Sequence, residues 1–439
     1  MSSHIVEAKK KAKEEKKKRE KESKEKLQVG YVFEEELSLH KSHKKEHVER
    51  PERIWSIYLR LQKLGLLDKM LKIDGNLVSE EVLLLCHKEA YTMKIDQQVG
   101  MDDYDPLELV PLGRNKNSYT FQFDTYENKW TNHWAKLSAG SVIEVIDSLY
   151  ADMIKSGFCI VRPPGHHAHA TTAAGFWFFN NVGLAARYAQ KNYGVKKVCI
   201  FDWDVHFGDG TSSIFESDPS VLFISPHRYE NGKFYPGGAA GSAKKIGDHE
   251  GKGFNINIPF DVAGMGNDEY IYVWENLAFP IIEEFEPDLI LISAGFDSAE
   301  GDPLGGFKLN PAGYSYMTQR LMELWPKVVA VLEGGYDLDA ITNCSEGVVR
   351  SLLGQKLPIE EIGATESADQ MYMNARPHDE AKRVVASVAK HVHKTWKWVE
   401  QHVIRSRKTT QEEMTIKQTS VKEMTDKFGE MEIQRKTTI

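Results

Sequence analysis

The sequence predicts an α/β protein with a mostly parallel central sheet covered by helices on both faces. Two observations carry this. Continuous apolar runs alternate with segments of helical spacing along most of the chain, the pattern of strands buried on both sides. Four polar signatures, RPPGHHAH, DWDVHFGDG, SAGFDSAEGDP and LEGGYD, each follow such a run directly. In open α/β sheets ligands gather at the carboxyl ends of strands, so the four signatures point to one composite site.

The strand-like runs are 158–161 (FCIV), 198–201 (VCIF), 221–225 (VLFIS), 254–258 (FNINI), 288–293 (DLILIS) and 327–332 (KVVAVL). Helical spacing occupies 136–155, 181–192, 268–285 and 310–324. Further on, 379–402 reads as one amphipathic helix with Val384, Val385, Val388, Val392, Trp396 and Val399 on or near one stripe. The expected organisation is a charged arm over 1–26, helical or disordered, then a globular domain over 27–378. An amphipathic helix packed on that domain follows over 379–404, and a flexible polar tail over 405–439. No internal repeat is visible.

The chain has 439 residues, enough to bury a large core. It contains no apolar run of the roughly 20 residues that span a bilayer. Its charged start lacks the apolar centre of a secretory signal. Four scattered cysteines form no metal-type pair, and Cys159 and Cys199 lie inside strand-like runs. A reducing compartment, nucleus and/or cytoplasm, is expected. From Glu7 to Lys26 eleven basic and six acidic residues give +5, leaving −13 elsewhere against a formal total of −8. Such an arm either aids nuclear import and nucleic-acid contact or simply solvates the chain end.

DWDVHFGDG places Asp202, Asp204 and His206 at alternate positions, which share one face of an extended backbone. Crowded acids lose solvation together unless a cation sits among them. Asp204 and His206, with Asp297 from another strand end, make three ligands of the kind found in catalytic zinc sites. Fe(II) or Co(II) fits the same oxygen and nitrogen set. Taken singly, each aspartate equally suits a helix cap or a turn. His166 and His167 suit metal binding, core packing or acid–base chemistry. Asp202 and Asp209 flank the cluster and suit the task of orienting imidazoles. Tyr336, after two glycines, offers a phenol to a developing oxyanion.

Across roughly 29–355 the chain resembles the zinc-dependent histone deacetylases of class II type. The matching pieces are RPPGHHA, AGFWFFNNV, DWDVHFGDGT, VLFISPHRYENGKFYPG, SAGFDSAEGDPLGG and LEGGYDL. The resemblance implies the three-layer αβα arginase/deacetylase fold and a protein lysine deacetylase. It assigns Asp204, His206 and Asp297 to a catalytic Zn2+, His166 and His167 as the acid–base pair, and Tyr336 as the hydroxyl that polarises the acetyl carbonyl. It further implies a structural K+ held by Asp202, Asp204, His206, Ser225 and the backbone of Pro226. Gly175, Phe176 and Tyr235 fall where the family lines its acetyl-lysine tunnel. Leu304 matches a rim position where polyamine-deacetylating relatives carry glutamate. Acetylated proteins, histone tails or others, are the implied substrates, with a corepressor complex as a partner; neither a membrane nor sequence-specific nucleic acid is implied. Alternatives are an acetylpolyamine amidohydrolase, a weakly active acyl-lysine-binding scaffold, and an arginase-like dinuclear hydrolase.

Two departures stand out. Phe207 replaces the family's usual second histidine, and His169 replaces an acidic or polar residue, with a place at the rim expected. His40, His43 and His47 are spaced like a metal site, but the stretch lacks cysteine and no second zinc is expected there. It is expected to form the loop at the mouth, with Arg53 entering a helix after Pro51.

Overall fold

A computed structural model describes residues 28–42, 47–97, 131–176, 178–325, 327–355, 357 and 375–401. The arm over 1–26, the tail over 405–439 and His43 lie outside the described residues.

Eight strands form one sheet: β1 (Val29–Val32), β2 (Leu71–Ile73), β3 (Ser156–Cys159), β4 (Val198–Asp202), β5 (Val221–Arg228), β6 (Asn255–Phe260), β7 (Leu289–Ala294) and β8 (Val328–Leu332). Their order is β2-β1-β3-β8-β7-β4-β5-β6. Every pair is parallel, so the sheet goes beyond the mostly parallel expectation. The central strands β3, β8, β7 and β4 are buried along their whole length, which is why β8, β7 and β4 read as apolar runs, whereas β3 begins at Ser156 and covers only the first half of the run expected over 158–161. β1 and β2 escaped the sequence reading. One is a four-residue strand containing a glycine, and the other is a three-residue edge strand of mixed exposure.

The helices are α1 (Glu52–Lys63), α2 (Glu80–Leu83), α3 (Glu89–Gln97), α4 (Thr131–Tyr150), α5 (Asn181–Tyr193), α6 (Asp209–Phe215), α7 (Asn267–Val273), α8 (Phe279–Phe285), α9 (Pro311–Leu324), α10 (Leu338–Leu352) and α11 (Asp379–Val392). They form two packed groups. In one, α5 contacts α2, α4 and α6; in the other, contacts run α1, α10, α9, α7, α11. Two helical layers around a parallel sheet make a three-layer αβα sandwich, as the sequence predicts. Among the described residues no helix is long and apolar enough to cross a membrane.

Side-chain caps set several boundaries. Asn180, Asn310 and Asp337 each accept an N–H at the start of α5, α9 and α10. The segment expected as one helix over 268–285 is α7 and α8 joined by a π-helical turn, Trp274–Ala278, which turns Trp274 inward. The helix expected over 379–402 ends at Val392. The chain turns over 393–395, and Trp396 then donates its Nε1 hydrogen to Gly253 O at 2.8 Å. Gly253 has φ +99°, where a side chain would strain the backbone and strike Thr395.

Candidate metal centre and active site

The strands that carry the four signatures, β3, β8, β7 and β4, are consecutive neighbours in the sheet. Asp202 pairs with Ser293, and Ser293 with Val331, so these strand ends are level. Segments far apart in sequence therefore deliver their polar residues to one place.

Asp204, His206 and Asp297 are buried, each with a ligand atom within 4.8 Å of the other two. His206 Nδ1 lies 3.0 Å from Asp204 Oδ1 and 3.1 Å from Asp297 Oδ2. A tetrahedral zinc with bonds of about 2.1 Å sets its ligand atoms about 3.4 Å apart, so the cluster is close to that spacing. Backbone amides aim the acids. Gly334 N–H donates to Asp204 Oδ2 at 2.8 Å, and Val205 N–H donates to Asp297 Oδ1 at 2.8 Å. A Cβ at Gly334 would collide with both carboxylates.

The charges are unbalanced. Burial pushes Asp297 up to about 7, Glu333 to about 7 and Asp202 to about 6. Burial opposes the charge on His206, yet hydrogen bonds to Asp204 and Asp297 lift it to about 10. Buried acids that retain protons, beside an imidazole that gains one, mark a site short of positive charge. A dication fills that shortfall, so the residues present fit zinc.

Beside the cluster, the His166 and His167 rings lie 4.1 Å apart. His166 Nδ1 is 2.9 Å from Asp202 Oδ2, and His167 Nδ1 is 2.6 Å from Asp209 Oδ1. The two rings titrate in opposite directions. Burial works against the charged form of His166, but the charges of Asp204 and Asp202 hold it well above its ordinary value. For His167, burial and then the neighbouring His166 charge bring it down to about 4. The Tyr336 hydroxyl is buried with no hydrogen-bond partner among the described residues, and burial keeps it protonated. Arg53 lies over its ring at 5.0 Å, and Tyr336 N–H donates to Asp302 Oδ2 at 2.7 Å.

Phe176 meets Tyr336 edge-on at 6.1 Å, next to Gly175 at φ +63°. Tyr235 meets His167 edge-on at 5.0 Å and is 36% exposed, while Leu304 is 37% exposed. These two therefore reach solvent. Phe201 pairs with Ile224, which sets Asp202 beside Ser225. Ser225 is buried with its Oγ 3.0 Å from His227 Nδ1, and Pro226 O accepts from Tyr270 OH at 3.4 Å. Phe207 packs inward against Phe223 and His227. His169, expected at the rim, is partly exposed and is also tied to Asp209: its Nε2 lies 3.0 Å from Asp209 Oδ2. His40 and His47 are buried, the first facing Phe178 edge-on and the second contacting Glu49 O at 3.0 Å.

Three features escaped the sequence reading. Phe234 stacks on His206 with centroids 5.2 Å apart and planes 11° from parallel; its place beside Tyr235 in KFYPG was the only signal. Glu333 Oε2 accepts the N–H groups of Gly165 at 2.6 Å and His166 at 3.1 Å, fixing the loop that carries the histidine pair. Under the site, Glu49 binds Arg162 through two contacts of 2.9 and 2.6 Å and Arg53 at 3.0 Å. Arg53 in turn donates to Gly335 O at 2.6 Å and to Glu333 O, bracing the Tyr336 loop.

The chain is similar to known proteins. Residues 47–352 match the histone deacetylase domain. The chain is 39% identical to "Histone deacetylase HDA1" of Candida albicans over 78% of this chain and 41% of that protein. It is 38% identical to "Polyamine deacetylase HDAC10" of Danio rerio over 79% of this chain and 51% of that protein. The chain thus spans about half the length of the curated relatives it matches. The crystal structure of the HDA15 HD domain superposes with a TM-score of 0.76 at 34% identity, over 88% of this chain and 99% of that one. On these matches and the Asp–His–Asp cluster, the chain belongs to the histone deacetylase family, class II type.

Proposed function

We propose that this chain is a zinc-dependent lysine deacetylase, hydrolysing the acetyl amide of Nε-acetyl-lysine in histones or other proteins to free lysine and acetate. The carrying observation is the pairing of two imidazoles with opposed proton affinities beside an Asp–His–Asp cluster and a buried phenol that has no hydrogen-bond partner among the described residues. A zinc ion on Asp204, His206 and Asp297 supplies Lewis acidity toward the amide carbonyl and water.

The chain's own groups do the rest. Asp209 engages Nδ1 of His167, so its Nε2 is the basic nitrogen, and the neutral ring accepts a proton from attacking water. His166, held charged between Asp202 and Asp204, donates a proton to the leaving amine. Paired groups whose proton affinities are pushed apart divide the acid and base duties this way. The Tyr336 hydroxyl donates to the developing oxyanion. Phe176, Tyr235 and Phe234 wall the approach with aromatic surface, which suits the slender apolar stem of acetyl-lysine. We place a structural K+ on Asp202, Asp204, His206, Ser225 and Pro226 O, and Zn2+ as the catalytic ion.

A second reading, acetylpolyamine hydrolysis, draws support from the relatives named polyamine deacetylases. Leu304 opposes it, because an apolar rim does not attract a cationic substrate. The assay is release of acetate from an acetyl-lysine histone peptide and from acetylspermidine by zinc-loaded protein. Faster turnover of the peptide, lost on chelation and restored by zinc, is expected. Faster acetylspermidine turnover moves the assignment to polyamines, and turnover of neither at full zinc content overturns both.

A further inference from the structure

A cavity of about 740 Å³ lies between α6, the 240–252 loop and the end of α11. Lys244, Lys245, Lys252, Lys390 and Lys394 line it. None of the five is ion-paired among the described residues. On a chain of net charge −8, five lysines around one concavity are conspicuous. Glu216 and Asp248 also line it, so the cationic excess is moderate; the third acid, Asp209, is already engaged by His167 and His169.

Asn255 adds an independent feature. It lines the cavity and is 2% exposed. Its Nδ2 donates to Ser212 O at 3.0 Å, which fixes the amide's orientation, and its Oδ1 is left buried with no partner among the described residues. A buried acceptor without a donor is uncommon and calls for one.

We propose that this cavity binds a small phosphorylated polyol, of the sugar bisphosphate class, with phosphates on the lysines and a hydroxyl on Asn255 Oδ1. Lysines hold phosphate as mobile point charges, and the volume is that of a small-molecule site rather than a track for nucleic acid. The cavity shares a wall with the active site. His169 Nδ1 lies 2.9 Å from Ser213 Oγ and its Nε2 3.0 Å from Asp209 Oδ2, while Asp209 Oδ1 engages His167. A bound anion competes with Asp209 for the His169 ring and so alters the hold on His167, making His169 a positioning residue. This coupling rests on the deacetylase reading; the binding does not.

Calorimetric titration of the full chain with fructose 1,6-bisphosphate and with inorganic pyrophosphate, at constant ionic strength, tests it. Saturable binding is expected, tighter for the sugar bisphosphate and weakened about tenfold or more by combined Lys245→Ala and Lys394→Ala. Both lysines are exposed, so the variant's melting temperature stays unchanged. Absence of saturable binding by either probe, or binding that the double variant leaves intact, overturns the site. Equal affinity for pyrophosphate overturns the Asn255 contact. With binding established, kcat on the acetyl-lysine peptide is expected to change at least about twofold on saturation in the wild type and not in His169→Gln. An unchanged wild-type kcat overturns the coupling alone.

Discussion

Nδ1 of His167 lies 2.6 Å from Asp209 Oδ1, and this contact leaves Nε2 as the nitrogen that meets a proton. His166 makes the equivalent contact with Asp202, yet the two imidazoles differ because His166 also faces Asp204, 3.7 Å from its Nε2. The pair is asymmetric because Asp204 and Glu333 add to Asp202 in favouring the charged His166, while burial and that His166 charge disfavour a proton on His167.

Asp209→Asn keeps the side chain's volume and removes its charge, so the His167 tautomer is no longer enforced. Turnover is expected to fall about 10²- to 10⁴-fold with zinc content unchanged. Steady-state rates beside elemental analysis of the purified variant check this.

Tyr336→Phe removes a hydroxyl that has no hydrogen-bond partner among the described residues, so the fold loses no bond. The expected cost falls on the transition state, about 2 kcal/mol or more, with zinc content and melting temperature preserved. Equal turnover by the variant would take the oxyanion duty away from Tyr336.

Glu49→Gln withdraws the carboxylate shared by two fully buried guanidiniums, Arg53 and Arg162. Removing one member of such a buried network costs about 3–5 kcal/mol. A lower urea midpoint is expected, with KM and kcat of the folded fraction affected through the Gly335 and Glu333 carbonyls that Arg53 holds.

The stability contributed by two buried histidines is expected to fall on mild acidification. Burial brings His87 down to about 4, and burial together with the Arg162 charge brings His40 to about 3, from an ordinary value of 6.5. Between about pH 6.5 and 4 these two imidazoles therefore carry protons in the unfolded chain that they lack in the folded one, so their contribution to stability falls. The destabilisation is absent above 6.5 and grows as pH drops toward 4. Urea midpoints at several pH values measure the slope, and His87→Gln should make it shallower.

Leu304→Glu places an acid on a residue 37% exposed at the proposed rim. Screened attraction of this kind is worth up to about 1 kcal/mol. The ratio of kcat/KM for acetylspermidine over acetyl-lysine peptide is expected to rise roughly fivefold. An unmoved ratio would place Leu304 outside the substrate path.

Local periodicity made much of this protein legible. Fully buried strands such as β4, β7 and β8 announce themselves as apolar runs, because each side chain on both faces meets a helix. Asp204 and His206 were readable as partners from their alternate spacing, although β4 ends at Asp202 and the chain bends over 204–206 rather than continuing as a strand. The weak signals were short or interrupted: the three-residue β2, and the helix that stops at Val392 so that Trp396 can dock on Gly253. Tertiary structure alone decided which distant groups meet. The strand order β3-β8-β7-β4 brings Asp297 and Tyr336 to Asp204. Loop packing puts Glu49 under two arginines, stacks Phe234 on His206, and hangs His169 and His167 on one carboxylate. Backbone periods of two and 3.6 residues act over a few ångströms of chain, whereas these meetings depend on how the whole sheet and its loops pack.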